Sequence, residues 1–130
     1  MNPQVKHYED KLAYEIDSWD LNAARESGEK IIVIDARSPE SYAKEHIPGA
    51  INLPHRTMTA ETTRALDRSA LLVSYCDGIG CNGSTKGALN LAKLGFRVKE
   101  LIGGLDWWKR DGYATHAGAS AASNVSCGCG

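Results

Sequence analysis

Apolar positions along this chain fall into runs of two kinds. "IIVID" (31–35) and "ALLVSY" (70–75) are continuous rather than alternating. That is the pattern of strands covered on both faces, as in a parallel sheet between helix layers. "AYEI" (13–16), "AINL" (50–53) and "VKELI" (98–102) predict three weaker strands. The segments between them carry readable helix ends. Asp17 or Ser18 caps a helix reaching about Glu26, and Gly28 closes it. Ser38-Pro39 opens a short helix, "PESYAKE", with an N-cap and a proline at the first helical position; Pro48-Gly49 then turns the chain. The clearest helix carries Ala88, Leu91 and Ala92 on one face, with Gly95 past its end and Phe96 as the apolar residue that follows. A last helix is predicted over Leu105 to Asp111, ended by Gly112. Strands and helices in alternation specify an α/β domain, with about five strands in a mainly parallel sheet and helices on both faces.

A chain of 130 residues is long enough for one core and too short for two. Residues 1–115 read as the folded unit. Residues 116–130, "HAGASAASNVSCGCG", have little apolar area to offset ordering entropy and are expected to form a flexible tail with two cysteines. The net charge of -1, with no cluster of Lys and Arg, argues against nucleic acid or an anionic membrane as partner. No apolar leader opens the sequence and no stretch of 18 apolar residues occurs, so the cytoplasm is the expected location.

Four cysteines change the picture: Cys76, Cys81, Cys127 and Cys129. In a reducing compartment cysteines are more often catalytic or metal-binding than structural. Cys76 falls at the carboxyl end of a predicted strand, where ligands bind in open parallel sheets. Gly78, Gly80 and Gly83 let the following backbone turn its N–H groups inward as an anion nest. The next helix adds the positive end of its dipole. Both effects lower a thiol pKa from its ordinary value of about 8.5. The neighbouring Asp77 opposes a thiolate, and Lys86 partly compensates. The pattern therefore predicts a nucleophilic sulfur on Cys76, cradled by Asp77, Gly78, Ile79, Gly80, Cys81, Asn82 and Gly83. The C-x4-C spacing makes Cys81 a candidate resolving thiol or, under oxidation, a disulfide partner of Cys76, or alternatively a residue that fills space at the helix cap. Cys127 and Cys129 lack a histidine at a finger-like spacing, so no metal is assigned.

The chain resembles the single-domain rhodaneses, a family of sulfurtransferases. "VIDARSPESYAKEHIPGAINLP" (33–54) is similar to the family's first signature and "LIGGLDWWKRDGY" (101–113) to its closing one. Cys76 matches the cysteine that carries a persulfide in family members. The resemblance covers about residues 14–113. It implies ping-pong transfer of a sulfane sulfur through Cys76–SSH, from thiosulfate, a small persulfide or a protein persulfide to a thiol or cyanide acceptor, with no cofactor. It also implies supporting roles for Asp35 and Arg37, the latter in a structural ion pair near the site. His46 is expected to be a hydrogen-bonded structural histidine, His55 to line the pocket without acting as a base, and Trp108 rather than Trp107 to be buried.

The loop departs from the family pattern. Ser84 lies eight positions after Cys76, about two later than in the family, and no Arg or Lys stands between them. Cys81 sits roughly where an arginine is usual. A doubly negative donor such as thiosulfate is then expected to bind less well, by about 1–3 kcal/mol for a lost charged hydrogen bond. Asn82 occupies the position at which related phosphatases place an arginine, which counts against phosphate chemistry. The competing reading is a catalytically weak binding or thiol redox-sensing module of the same family.

Overall fold

The computed structural model describes residues 2–118 of the chain. Strands β1 (Glu15–Ile16), β2 (Ile31–Asp35), β3 (Ile51–Asn52), β4 (Leu71–Tyr75) and β5 (Arg97–Leu101) form one sheet in the order β1-β5-β4-β2-β3. Every pairing is parallel. Helices α1 (Pro3–Tyr14), α2 (Ser18–Glu26), α3 (Pro39–Lys44), α4 (Gly83–Lys93) and α5 (Gly104–Arg110) cover it, and a 3₁₀ turn spans His55–Thr57.

The two continuous apolar runs are the central pair, in register from Ile31 opposite Leu71 to Asp35 opposite Tyr75. The pleat sorts their side chains between two cores. Val33, Val73 and Tyr75 pack with Leu21 of α2, Tyr42 of α3, and Leu105 and Trp108 of α5. Ile34 and Leu72 pack on the other side with Leu91 of α4, Phe96 and Met58. A strand buried on both sides cannot alternate apolar with polar, which is why these runs are unbroken. Each fully buried aliphatic side chain contributes about 1.5–3 kcal/mol, so these strands carry the fold.

The helix ends follow their local chemistry. The Asp17 side chain accepts from the Asp20 N–H at 2.8 Å, and the Ser38 hydroxyl accepts from the Ser41 N–H at 3.2 Å. Helix α4 ends in a Schellman motif: Phe96 N donates to Leu91 O and Gly95 N to Ala92 O.

The structure departs most from the sequence reading at the two ends of the chain. Ala13 and Tyr14 belong to α1, not to β1, which keeps only Glu15 and Ile16. Sequence pattern also left α1 unassigned, because it buries no residue and so shows no core stripe. It is held by local chemistry instead: an Asn2 side-chain cap, Pro3 in the first turn, and the pairs Lys6–Asp10 and Lys11–Glu15. At the other end the packed chain continues past residue 115. His116 pairs antiparallel with His46, and Gly118 N donates to Ala43 O at 2.8 Å. Cys127 and Cys129 lie outside the described residues. Among the described residues no helix is long and apolar enough to cross a membrane.

This topology creates one special crevice. Adjacent strands β2 and β4 lead to helices on opposite faces, since α3 packs in one core and α4 in the other. The connections part at the carboxyl ends of these two strands, where parallel α/β sheets bind ligands.

Candidate active site

Cys76 is the first residue after β4 and is 4% exposed. It lines a cavity of ≈ 550 Å³ whose walls are the start of α3, the segment Pro54–Thr57 and the far end of its own loop, Cys81–Gly83. The cavity occupies the crevice between the ends of β2 and β4.

Both ends of the Cys76 loop are pinned. The α5 amides of Leu105 and Asp106 donate to the carbonyls of Cys76 (3.0 Å) and Asp77 (2.8 Å). Gly104 permits this approach: its φ is +57°, and a Cβ there would strike the Cys76 carbonyl oxygen. At the other end the Ser74 hydroxyl donates to Ser84 O at 3.0 Å. The Ser84 and Thr85 hydroxyls donate to Glu100 of β5 at 2.7 and 2.6 Å, seating the first turn of α4. The loop between these anchors faces solvent, with Ile79 77% exposed.

Arg37 ties the end of β2 to this loop. Its Nε and Nη2 grip the two oxygens of the fully buried Asp35 at 2.9 and 2.7 Å. Its Nη1 donates to Asp77 Oδ1 at 2.9 Å, and Nη2 also reaches Glu45 O at 2.6 Å. The Tyr75 hydroxyl donates to Asp35 at 2.8 Å and accepts from Ile47 N at 3.1 Å. Burial alone would push the Arg37 guanidinium toward deprotonation, but its bonds to Asp35 and Asp77 together outweigh that and raise its pKa. Tyr75 is likewise raised, by burial first and then by the Asp35 charge. All three guanidinium nitrogens are engaged, in the structural ion pair that the first signature implied. Asp77, whose charge opposes a thiolate, is thus paired with Arg37.

Of the two roles open to Cys81, the structure shows the bonded one rather than a bare filler of space at the helix cap. Cys76 and Cys81 are joined by a disulfide, with their Cα atoms 6.3 Å apart. In this state the Gly83 amide donates to Cys81 Sγ, at 3.4 Å, not to Cys76. The Asn82 side chain makes no cap bond to α4, so the first turn of that helix turns its N–H toward sulfur instead. Donor atoms of Cys76, Asp77 and Cys81 lie within 4.8 Å of one another. The disulfide occupies both sulfurs and Arg37 occupies Asp77, so a soft metal could enter only after reduction.

His55 lines the cavity, as expected, and so does Arg56, which the sequence reading missed. Burial, then the charges of Lys86 and Arg56, lower the His55 pKa from its ordinary 6.5. The signal for Arg56 was a basic pair directly after the third strand, but it lies far from Cys76 in sequence. Asn90 of α4 fixes the turn by donating to His55 O at 2.9 Å. His46 is fully buried, stacked on Tyr42 at 3.8 Å, with Nδ1 2.8 Å from Tyr42 O; it does not line the cavity. Trp108 is 3% exposed against 41% for Trp107.

A family model described as a rhodanese-like domain matches residues 19–111. The chain is 32% identical over 95 residues to thiosulfate sulfurtransferase GlpE of Coxiella burnetii, covering 72% of this chain and 82% of that protein. It is 33% identical over 100 residues to the HTH-type transcriptional regulator Rv0324 of Mycobacterium tuberculosis, covering 77% of this chain but only 43% of the regulator's length. Among solved structures, the BH2092 protein from Bacillus halodurans superposes with a TM-score of 0.84 at 42% identity, over 89% of this chain and 87% of that one.

Proposed function

The chain belongs to the rhodanese-like domain family, and we propose that it is a sulfurtransferase working through a persulfide on Cys76. The observation that carries this reading is the position of Cys76, at the end of β4 and on the wall of the crevice between β2 and β4. Relatives named thiosulfate sulfurtransferase support it.

In the reduced site the Cys76 thiolate attacks the sulfane sulfur of the donor. With thiosulfate, the S–S bond of the donor breaks and sulfite leaves with the electron pair. An acceptor thiolate then attacks the outer sulfur of Cys76–SSH, takes it, and restores the Cys76 thiolate. No proton has to be removed in either step, so His55 is not needed as a base. The cation absent from the loop is supplied across the cavity by Arg56, which keeps thiosulfate among the donors alongside small and protein persulfides. Transfer needs both thiols reduced, which suits a reducing compartment such as the cytoplasm.

The test is intact mass of the reduced protein after exposure to thiosulfate or glutathione persulfide. Wild type gains one sulfur atom and Cys76→Ser gains none. If no donor adds sulfur, the second reading takes over: a thiol redox-sensing module, favoured by the disulfide that closes the site.

A further inference from the structure

We propose that Cys81 makes this a sulfide-releasing site: it attacks the Cys76 persulfide at its inner sulfur and expels hydrosulfide. The inference rests on the persulfide reading of Cys76. Three features carry it.

Cys81 Sγ is bonded to Cys76 Sγ, so the loop places it within reach of the atom that becomes the inner sulfur of Cys76–SSH. Both cysteines line the same cavity, so the outer sulfur has an exit once its bond breaks. Cys81 also receives the amide hydrogen of Gly83, the first residue of an 11-residue helix, and this donor with the helix dipole favours its thiolate.

The step balances without an external oxidant. The Cys81 thiolate forms a bond to the inner sulfur, the bond between inner and outer sulfur breaks, and its electron pair leaves with HS⁻. The sulfane sulfur is reduced to sulfide while the two cysteines are oxidised to the disulfide seen in the structure. A dithiol reductant then exchanges with that disulfide, is itself oxidised to a disulfide, and returns two free thiols. Attack on the outer sulfur would only move the persulfide to Cys81 and release nothing.

The experiment is a single turnover of pre-reduced, full-length protein with glutathione persulfide, the excess donor and reductant removed after loading. Sulfide and intact mass are followed together. Wild type is expected to release close to one equivalent of sulfide and to end two hydrogens lighter than the reduced protein. Cys81→Ser and Cys81→Ala should instead hold the added sulfur and release sulfide at least about tenfold more slowly, since they lose the proximity of an internal thiol. A wild type that keeps its added sulfur as long as both variants do overturns the proposal and leaves the Cys76 reading standing. Absence of any added sulfur or sulfide in wild type overturns both.

Discussion

Arg37 and Asp77 are 40 positions apart in sequence and 2.9 Å apart in space. The same guanidinium grips the buried Asp35 with its other edge, so one side chain couples the end of β2 to the first residue after Cys76. The loop that holds the sulfur is thereby fastened to the centre of the sheet, not merely to its own strand.

Replacing Arg37 tests that fastening. Arg37→Ala leaves Asp35 buried without its cation, and should lower unfolding free energy by about 3–5 kcal/mol. Chemical denaturation measures it. Arg37→Lys restores a charge but not the planar fork, so it should recover only part of the loss. A loss below about 0.5 kcal/mol for the alanine variant, the range of ordinary surface changes, would contradict the arrangement.

Gly104 sets how closely α5 approaches the loop. Gly104→Ala should cost at least about 1–2 kcal/mol for the left-handed backbone alone, and more from the collision with the Cys76 carbonyl. Thermal unfolding reads the first effect. Slower persulfide loading at a temperature where the variant remains folded reads the displaced loop.

Arg56 predicts how donors are sorted. Arg56→Ala should raise KM for thiosulfate by roughly tenfold, from a lost charged interaction of about 1.5 kcal/mol, with kcat changed much less. Steady-state kinetics decide it. An unchanged KM would show that the guanidinium does not meet the donor.

His55 predicts a pH dependence. Its pKa in the folded protein lies below the ordinary 6.5, so the ring is neutral at pH 7.5 and becomes cationic only as pH falls through that lowered value. A dianionic donor should therefore bind more tightly in acid. The dissociation constant of thiosulfate for Cys76→Ser, measured by calorimetry from pH 7.5 to 5, should fall; His55→Gln should flatten the curve. For stability the sign is opposite. The unfolded chain takes up this proton at higher pH, so any contribution from neutral His55 is present above 6.5 and lost as pH falls through the folded value.

Much of this was legible before any coordinates. The unbroken runs at 31–35 and 70–75 specified buried strands, and Asp17, Ser38 and Gly95 marked helix ends through hydrogen bonds that span only a few residues. Cys76 was legible because a strand end, glycines and a helix start are contiguous in the chain. Helix α1 was not, since it contributes no buried side chain and core periodicity is the main signal for a helix. Arg56 was missed for a different reason. It belongs to the site only because β3 lies beside β2, which delivers the turn after β3 to the cavity wall.

The sequence by itself determined the alternation of strands and helices, the glycine-rich loop and the place of Cys76 at a strand end, because each is written in neighbouring residues and acts over one or two turns of chain. Only the tertiary structure decided that Arg37 pairs with Asp77, that Arg56 lines the same cavity as Cys76, and that Cys81 bonds to Cys76. Those three depend on strand order and on the path of a loop fixed at both ends. Distances of that kind come from packing the whole sheet between its helices, which no local pattern encodes.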